Sequence, residues 1–211
     1  MKILTRFFAL LVAVIACASV CVACNLEKST DPKYFAFTLN ADLNGYTVSA
    51  SAEEMPLTVI IPAEYNGLPV LAVKENGFSG ENCSGIKEVV IKGAEVSVGN
   101  NAFRNLPNLR YIEFRYAASV SVGTFAFENC PELKELKLSE KANTFFADSF
   151  AFKSTGFTDV YIAAQSVILK DYSFASCASL KSFKIKAASH DVAQNAADKC
   201  DNLSVIEYVN S

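Results

Sequence analysis

Six times between Ile86 and Tyr208 the chain writes one spacing: an apolar residue, two variable ones, then apolar, variable, apolar. The copies are Ile86, Val89, Ile91; Leu109, Ile112, Phe114; Leu133, Leu136, Leu138; Phe157, Val160, Ile162; Leu180, Phe183, Ile185; and Leu203, Ile206, Tyr208. A second anchor precedes each copy by five to eight residues: Phe78, Phe103, Phe127, Phe152, Phe174 and, in the last, Ala197. Steps between these anchors are 25, 24, 25, 22 and 23 residues. Alternation within each copy is the period of a strand. Self-similarity at twenty-odd residues predicts windings stacked into a solenoid, since one such unit cannot bury its apolar side alone.

Seven residues before each anchor a third element begins, again apolar, variable, apolar. It reads Leu71, Val73; Val96, Val98; Val120, Val122; Phe145, Ala147; Val167, Leu169; and His190, Val192. Length variation therefore falls between fixed blocks, where a coil can loop out without disturbing its inward ladder. Asn101-Ala102-Phe103, Phe125-Ala126-Phe127-Glu128-Asn129-Cys130 and Tyr172-Ser173-Phe174-Ala175-Ser176-Cys177 resemble the coils of the BspA-type bacterial leucine-rich repeat family. The likeness covers residues 57–208. It implies a β-rich leucine-rich repeat solenoid: a right-handed coil of parallel strands joined by short turns or 3-10 segments. About six coils are expected, with an N-terminal β cap. Members often carry Ile-Pro after the strand and Gly four residues before the Phe; here only Ile61-Pro62, Gly99 and Gly123 keep those features.

The chain opens with a leader. Lys2 and Arg6 precede an unbroken apolar run from Phe7 to Ala16, followed by small residues and cysteines. That run is short for a membrane span and suits a signal peptide. The leader resembles that of a bacterial lipoprotein, with Cys24 the expected lipidated residue, Cys17 the alternative, and plain cleavage after Ala23 a third reading. The expected organisation is a lipoprotein signal peptide over 1–23, a polar tether over 24–33, a β cap over 34–70 and the solenoid over 71–211, with a polar terminal coil. Without Lys2 and Arg6 the balance is 17 basic to 22 acidic residues. A mildly acidic chain with no Lys/Arg run does not suit nucleic acid, so membrane association would come through the lipid.

Within 34–70, the alternation of Phe35, Phe37 and Leu39, an Asn44-Gly45 turn and Tyr46 to Ala50 predict two strands. Leu57 to Pro62 and Leu68 to Val73 flank a second Asn-Gly, Asn66-Gly67. At the far end Ala196-Ala197 replaces Ala-Phe and His190 replaces an apolar ladder residue, as expected of a coil that ends the stack.

Groups able to carry chemistry are sparse. Three of the seven cysteines belong to the leader. Cys130, Cys177 and Cys200 each lie three residues after an anchor, a slot filled by Leu106 and Thr155 in other coils, and read as small buried thiols. Cys177 and Cys200 fall on neighbouring coils within reach of a bridge in principle, though parallel Cβ directions disfavour it. Cys83 lies in a longer loop and is expected to be partly exposed. Beyond the Cys21-Val22-Ala23-Cys24 of the leader, no C-x-x-C or Cys/His cluster suggests a metal, and no cofactor is expected. His190, the sole histidine, lacks a neighbouring nucleophile. Ser84-Gly85-Ile86-Lys87 and Lys153-Ser154-Thr155-Gly156 loosely match the S-x-x-K and K-T-G of penicillin-interacting enzymes. Three coils separate them, so they cannot converge on one substrate.

What remains is a surface. Outward residues of the parallel strands align in columns: Glu88, Tyr111, Glu135, Asp159, Ser182, Val205; Val90, Glu113, Lys137, Tyr161, Lys184, Glu207; and a more basic Lys92, Arg115, Ser139, Ala163, Lys186, Val209. Opposite charges should pair along it, Glu113 with Lys137 and Lys184 with Glu207. Tyrosine and arginine are enriched at protein-binding hot spots. The candidate binding face is therefore Tyr111, Glu113, Arg115, Lys137, Tyr161 and Lys184. The expected protein is a secreted, lipid-anchored, non-catalytic module that binds an unidentified protein or surface macromolecule, which the family resemblance extends to adhesion. The alternatives are an envelope-associated lipoprotein working close to the membrane and, third, a hydrolytic enzyme.

Overall fold

The computed structural model describes residues 28–209. The leader and both lipidation candidates, Cys17 and Cys24, lie outside the described residues. From Thr58 onward the chain winds as a coil, each turn adding one strand to each of two faces. Strands β1 (Phe35–Leu39) and β2 (Tyr46–Ala50) form the antiparallel pair that the alternation predicts. They are followed by β3 (Thr58–Ile61), β4 (Glu64–Tyr65) and β5 (Leu68–Val73). The repeats then supply β6 (Glu88–Lys92), β7 (Glu95–Val98), β8 (Tyr111–Arg115), β9 (Ser119–Val122), β10 (Glu135–Leu138) and β11 (Thr144–Ala147). The last coils give β12 (Asp159–Ala163), β13 (Ser166–Leu169), β14 (Ser182–Lys186), β15 (Ser189–Val192) and β16 (Ile206–Val209). The wide sheet runs β1-β2-β5-β7-β9-β11-β13-β15 and the repeat-motif strands form the other face.

The register is the one read from the repeats. Ile112 lies between Val89 and Leu136, Phe145 between Val120 and Val167, and Ile185 between Ile162 and Tyr208. Leu109, Leu133 and Leu180 are fully buried in one continuous core. Strand β3 stacks in register under β6, so about seven turns are wound where the repeated motif alone gives six. Val59 and Ile61 match Val89 and Ile91, and the copy was missed because Pro56 stands where the motif has its first apolar residue. At the second Asn-Gly, Asn66 (φ 48°) and Gly67 (φ 78°) turn the chain from β4 into antiparallel β5, as a two-residue hairpin turn requires.

Through the core runs a pile of phenylalanine rings. Phe78, Phe103, Phe127, Phe152 and Phe174 stack with centroids 5.0, 5.1, 5.1 and 4.8 Å apart. The spacing is that of neighbouring parallel strands, so the rings inherit it from the backbone. Backbone bonds lock each anchor to the next coil, Phe103 N donating to Ala126 O at 2.8 Å and Phe127 N to Ala151 O at 2.7 Å. The corners beside the anchors need left-handed backbone at Asn76, Asn101, Phe125, Phe150 and Tyr172. Asparagine tolerates that conformation, whereas an aromatic residue there is strained. Stacking offsets the strain, since Phe125, Phe150 and Tyr172 form a second, half-buried pile with spacings of 5.0 and 5.1 Å.

The cysteine slot follows from the same geometry. Cys130 Sγ donates to Phe103 O at 3.2 Å, Cys177 Sγ to Phe152 O at 3.4 Å and Cys200 Sγ to Phe174 O at 3.2 Å. Each thiol fills a small apolar space and donates to the carbonyl of the preceding coil's anchor. Cys83, expected to be partly exposed, is instead fully buried, because a 3-10 turn over Glu81–Cys83 folds it inward. All four described cysteines are free thiols. Burial pushes Cys83 up to about 11 and Cys130 up to about 12.

Candidate functional site

The motif strands present the predicted face, and its centre is a carboxylate. Glu113, on β8, is buried although its column points outward. It accepts a 2.9 Å hydrogen bond from Tyr111 Oη, two positions back on the same strand. Arg115 Nη2 donates to the same oxygen, and Lys137 Nζ on β10 approaches the other at 3.4 Å. Burial alone would raise the Glu113 pKa, but the hydrogen bonds from Arg115 and Tyr111 and the charges of Arg115 and Lys137 outweigh it and hold the carboxyl below its usual range. Burial, reinforced by the Glu113 hydrogen bond and charge, pushes the Tyr111 phenol upward. Four of the six predicted residues are thus one preorganised cluster, with two cations to one anion. Lys184, a fifth, pairs with Glu207 at 3.3 Å, as the column predicts. Tyr161 stands 55% exposed.

Between β10 and β12 the ladder is interrupted: the repeat-motif face divides into β10-β8-β6-β3 and β12-β14-β16. Two irregularities in the sequence flank the break. From Leu138 to Phe145 the coil spends seven residues where the others spend five or six, and from Phe152 to Phe157 it spends five where every other coil spends at least six. The extra residues form a turn over 139–143, held by Ala142 N to Ser139 O and Lys141 N to Ser139 Oγ. The shortened side brings Gly156 down onto the preceding coil, where a Cβ would sit 2.0 Å from Pro131 O. One side of the coil is drawn in and the other let out, so β12 does not reach the hydrogen-bonding edge of β10. Leu136 and Leu138, expected in the core, are consequently only half-buried.

Clefts open around the break. One of about 470 Å³ lies between β10 and β12, lined by Leu136, Lys137, Val160, Tyr161 and Lys184 among others. A second, about 500 Å³, runs from Glu113, Arg115 and Lys137 to Tyr116 and the 139–143 turn. A third, about 610 Å³, lies across that turn against Tyr161 and Lys186. Lys137 is shared by the first two clefts and Tyr161 by the first and third. Five of the six predicted residues border this region; Tyr111 does not line these clefts and acts through Glu113.

The sequence reading missed Tyr116. It follows β8, is 63% exposed and holds φ 69°, a conformation costly for a bulky side chain. The repeat carried no signal for it, since Gly93 at the matching corner of the preceding coil does not hold a positive φ. Among the described residues no group of three or more His, Cys, Asp or Glu is placed to hold a metal ion. His190 stacks on Tyr208 at the end of the coil, with ring centroids 4.2 Å apart, remote in fold from the break. No described helix is long and apolar enough to cross a membrane.

Parallel strands in register, a piled-phenylalanine core and an exposed motif-strand face define a leucine-rich repeat β-solenoid. More narrowly, the chain belongs to the BspA type leucine rich repeat family, whose repeat region matches residues 72–204 in six copies. Among solved structures it is similar to the leucine rich repeat protein TpLRR of T. pallidum, with a TM-score of 0.66 and 21% identity over 87% of this chain and 84% of that one. It is also similar to a leucine-rich repeat protein from Bacteroides ovatus, with a TM-score of 0.61 and 23% identity over 85% of this chain but 46% of that one. At these identities the likeness is one of fold. No curated protein sequence matches the chain.

Proposed function

We propose that the protein is a non-catalytic protein-binding module that engages its partner on the motif-strand face at the β10/β12 break. One observation carries the reading: among the described residues, the single interruption of the motif-strand ladder opens clefts bordered by exposed Tyr116 and Tyr161 around Lys137. Tyrosine and arginine are among the residue types that dominate binding energy at protein interfaces. The Tyr111–Glu113–Arg115–Lys137 cluster is satisfied internally, so these side chains hold their positions before a partner arrives and less ordering entropy is lost on binding. The module is secreted and held to the membrane through lipid on Cys24, with Cys17 the alternative, and acts in cell-surface interaction or adhesion.

The test is capture of partners from the native surroundings by wild-type protein and by Tyr161→Ala, Tyr116→Ala and Lys137→Glu variants of unchanged melting temperature. Loss of about 2 kcal/mol, close to thirty-fold in affinity, is expected for a tyrosine at the centre of the patch. Partner binding that is indifferent to all three substitutions refutes the face. Protease treatment of intact cells separates adhesion from work beneath the envelope surface: a chain protected from added protease is not an adhesin. Metabolic labelling with a fatty acid, lost in Cys24→Ser, tests the anchor.

A further inference from the structure

The charges of the motif-strand face are sorted across its width. The column at the strand starts carries Glu88, Glu135 and Asp159 and no base, whereas the column at the strand ends carries Lys92, Arg115 and Lys186 and no acid. Between them Glu113 pairs with Lys137 and Lys184 with Glu207. The basic margin is local, because the whole chain has 19 basic residues to 22 acidic. Along this margin each coil turns from its motif strand into the wide sheet. From β6 onward the short corners are uncharged: Gly93 and Ala94, Tyr116 to Ala118, Ala164 and Gln165, Ala187 and Ala188. Among the described corners from β6 onward, only the long turn over 139–143 brings charge there, as Glu140 and Lys141.

The two larger clefts of the break open on this margin, and Lys141 lines both. Tyr116 and Lys137 border one of them, Tyr161 and Lys186 the other. Small side chains, Ala142, Ala163, Ala164, Ala187 and Ala188, line the second. Lys141 and Lys186 reach it from the coils on either side of the Ala163-Ala164 corner. Both are exposed, and neither makes an ion pair among the described residues. Glu113 is already engaged by Arg115 and Lys137, which leaves Glu140 as the one other acid lining these two clefts. The result is a groove with a floor of small apolar groups and a lysine at each side.

Resting on the strand-face reading above, we infer that the partner meets this margin with an acidic stretch of polypeptide, its carboxylates beside Lys141 and Lys186 and its chain over the alanine floor. Opposite charge across an interface steers encounter and rejects wrong partners. Two lysines, one coil to either side of the floor, are about 10 Å apart at strand spacing, which is about three residues of extended chain. A polypeptide can set single carboxylates at that separation. An unbroken polyanion fits less well, because Glu140 and the acids at the strand starts repel a continuous run of negative charge.

Fluorescence anisotropy of a labelled glutamate–tyrosine copolymer tests this, with a lysine–tyrosine copolymer and dextran sulfate as comparisons. The glutamate–tyrosine copolymer should bind the wild-type protein, and more weakly as salt is raised through about 0.15 M. The Lys141→Glu/Lys186→Glu double variant, of unchanged melting temperature, should weaken binding at least ten-fold. Lys74→Glu/Lys199→Glu makes the same change in net charge off the motif-strand face and should bind like wild type. No binding of the acidic copolymer, equal binding of the basic one, or indifference to Lys141→Glu/Lys186→Glu overturns the inference. Dextran sulfate bound as tightly as the acidic copolymer overturns it too, in favour of a general polyanion surface. Partner capture separates this from the reading it rests on. A partner lost by Tyr161→Ala but kept by Lys141→Glu/Lys186→Glu removes the acidic occupant and leaves the strand face standing. A partner kept by every variant removes both.

Discussion

Replacing Phe127 by alanine should remove a third or more of the stability of the solenoid. The ring is fully buried at the middle of the pile, 5.1 Å from Phe103 on one side and 5.1 Å from Phe152 on the other, with interplanar angles of 8° and 2°. Truncating a buried phenylalanine costs about 3–5 kcal/mol, the larger values applying where the surroundings cannot close on the hole. Here they cannot, because the coils on both sides are pinned by backbone bonds at the anchor and in the wide sheet, and the preceding coil also through β8 and β10. Two ring stackings vanish as well, each about 0.5–1.5 kcal/mol beyond simple burial. A loss of about 5 kcal/mol compares with a total of about 5–15 for an ordinary domain. Each coil touches chiefly its neighbours, so the hole also weakens the coupling between the two halves of the stack. Urea unfolding followed by far-ultraviolet circular dichroism should show a much lower midpoint and a broadened or split transition. A single sharp transition within about 1 kcal/mol of wild type would refute the piled core as the chief source of cohesion. The reciprocal change, Ala197→Phe, places a ring in the open slot beyond Phe174 and should raise the midpoint.

Glu113→Gln should lower stability at neutral pH by about 2 kcal/mol, the size of a hydrogen bond to a charged group. Because the folded pKa is held below the unfolded one, the wild-type contribution is complete above the ordinary carboxylate range and disappears as pH falls through the lowered value, so melting curves of the two proteins should converge in acid. Gly156→Ala forces a methyl to within 2.0 Å of Pro131 O, and the coil must shift; a cost of about 1–3 kcal/mol is expected, read as a lower melting temperature. Cys83 and Cys130, buried with raised thiol pKa values, should resist alkylation at pH 8 in the native state and react once unfolded, as peptide mass mapping would show.

Much of the candidate face was readable before any coordinates. The pairing of Glu113 with Lys137 and of Lys184 with Glu207 follows from counting, because identical blocks in parallel register place matching positions side by side. That Glu113 is buried, and gathers Tyr111 and Arg115 from its own strand, is a matter of how far each side chain leans, which spacing does not encode. The burial of Cys83 depends on a single 3-10 turn in a loop of unique length, with no second copy to compare.

From its letters alone this chain determines that it winds, where each strand lies, which residues form the inward columns and which cysteines sit against the anchors. Those properties are periodic, and a period survives in one dimension. The interruption of the motif-strand face and the partial exposure of Leu136 and Leu138 were decided only in three dimensions. A residue gained on one side of a coil and lost on the other changes the path of the backbone. Whether a strand still reaches its neighbour's hydrogen bonds then depends on the summed geometry of two whole turns.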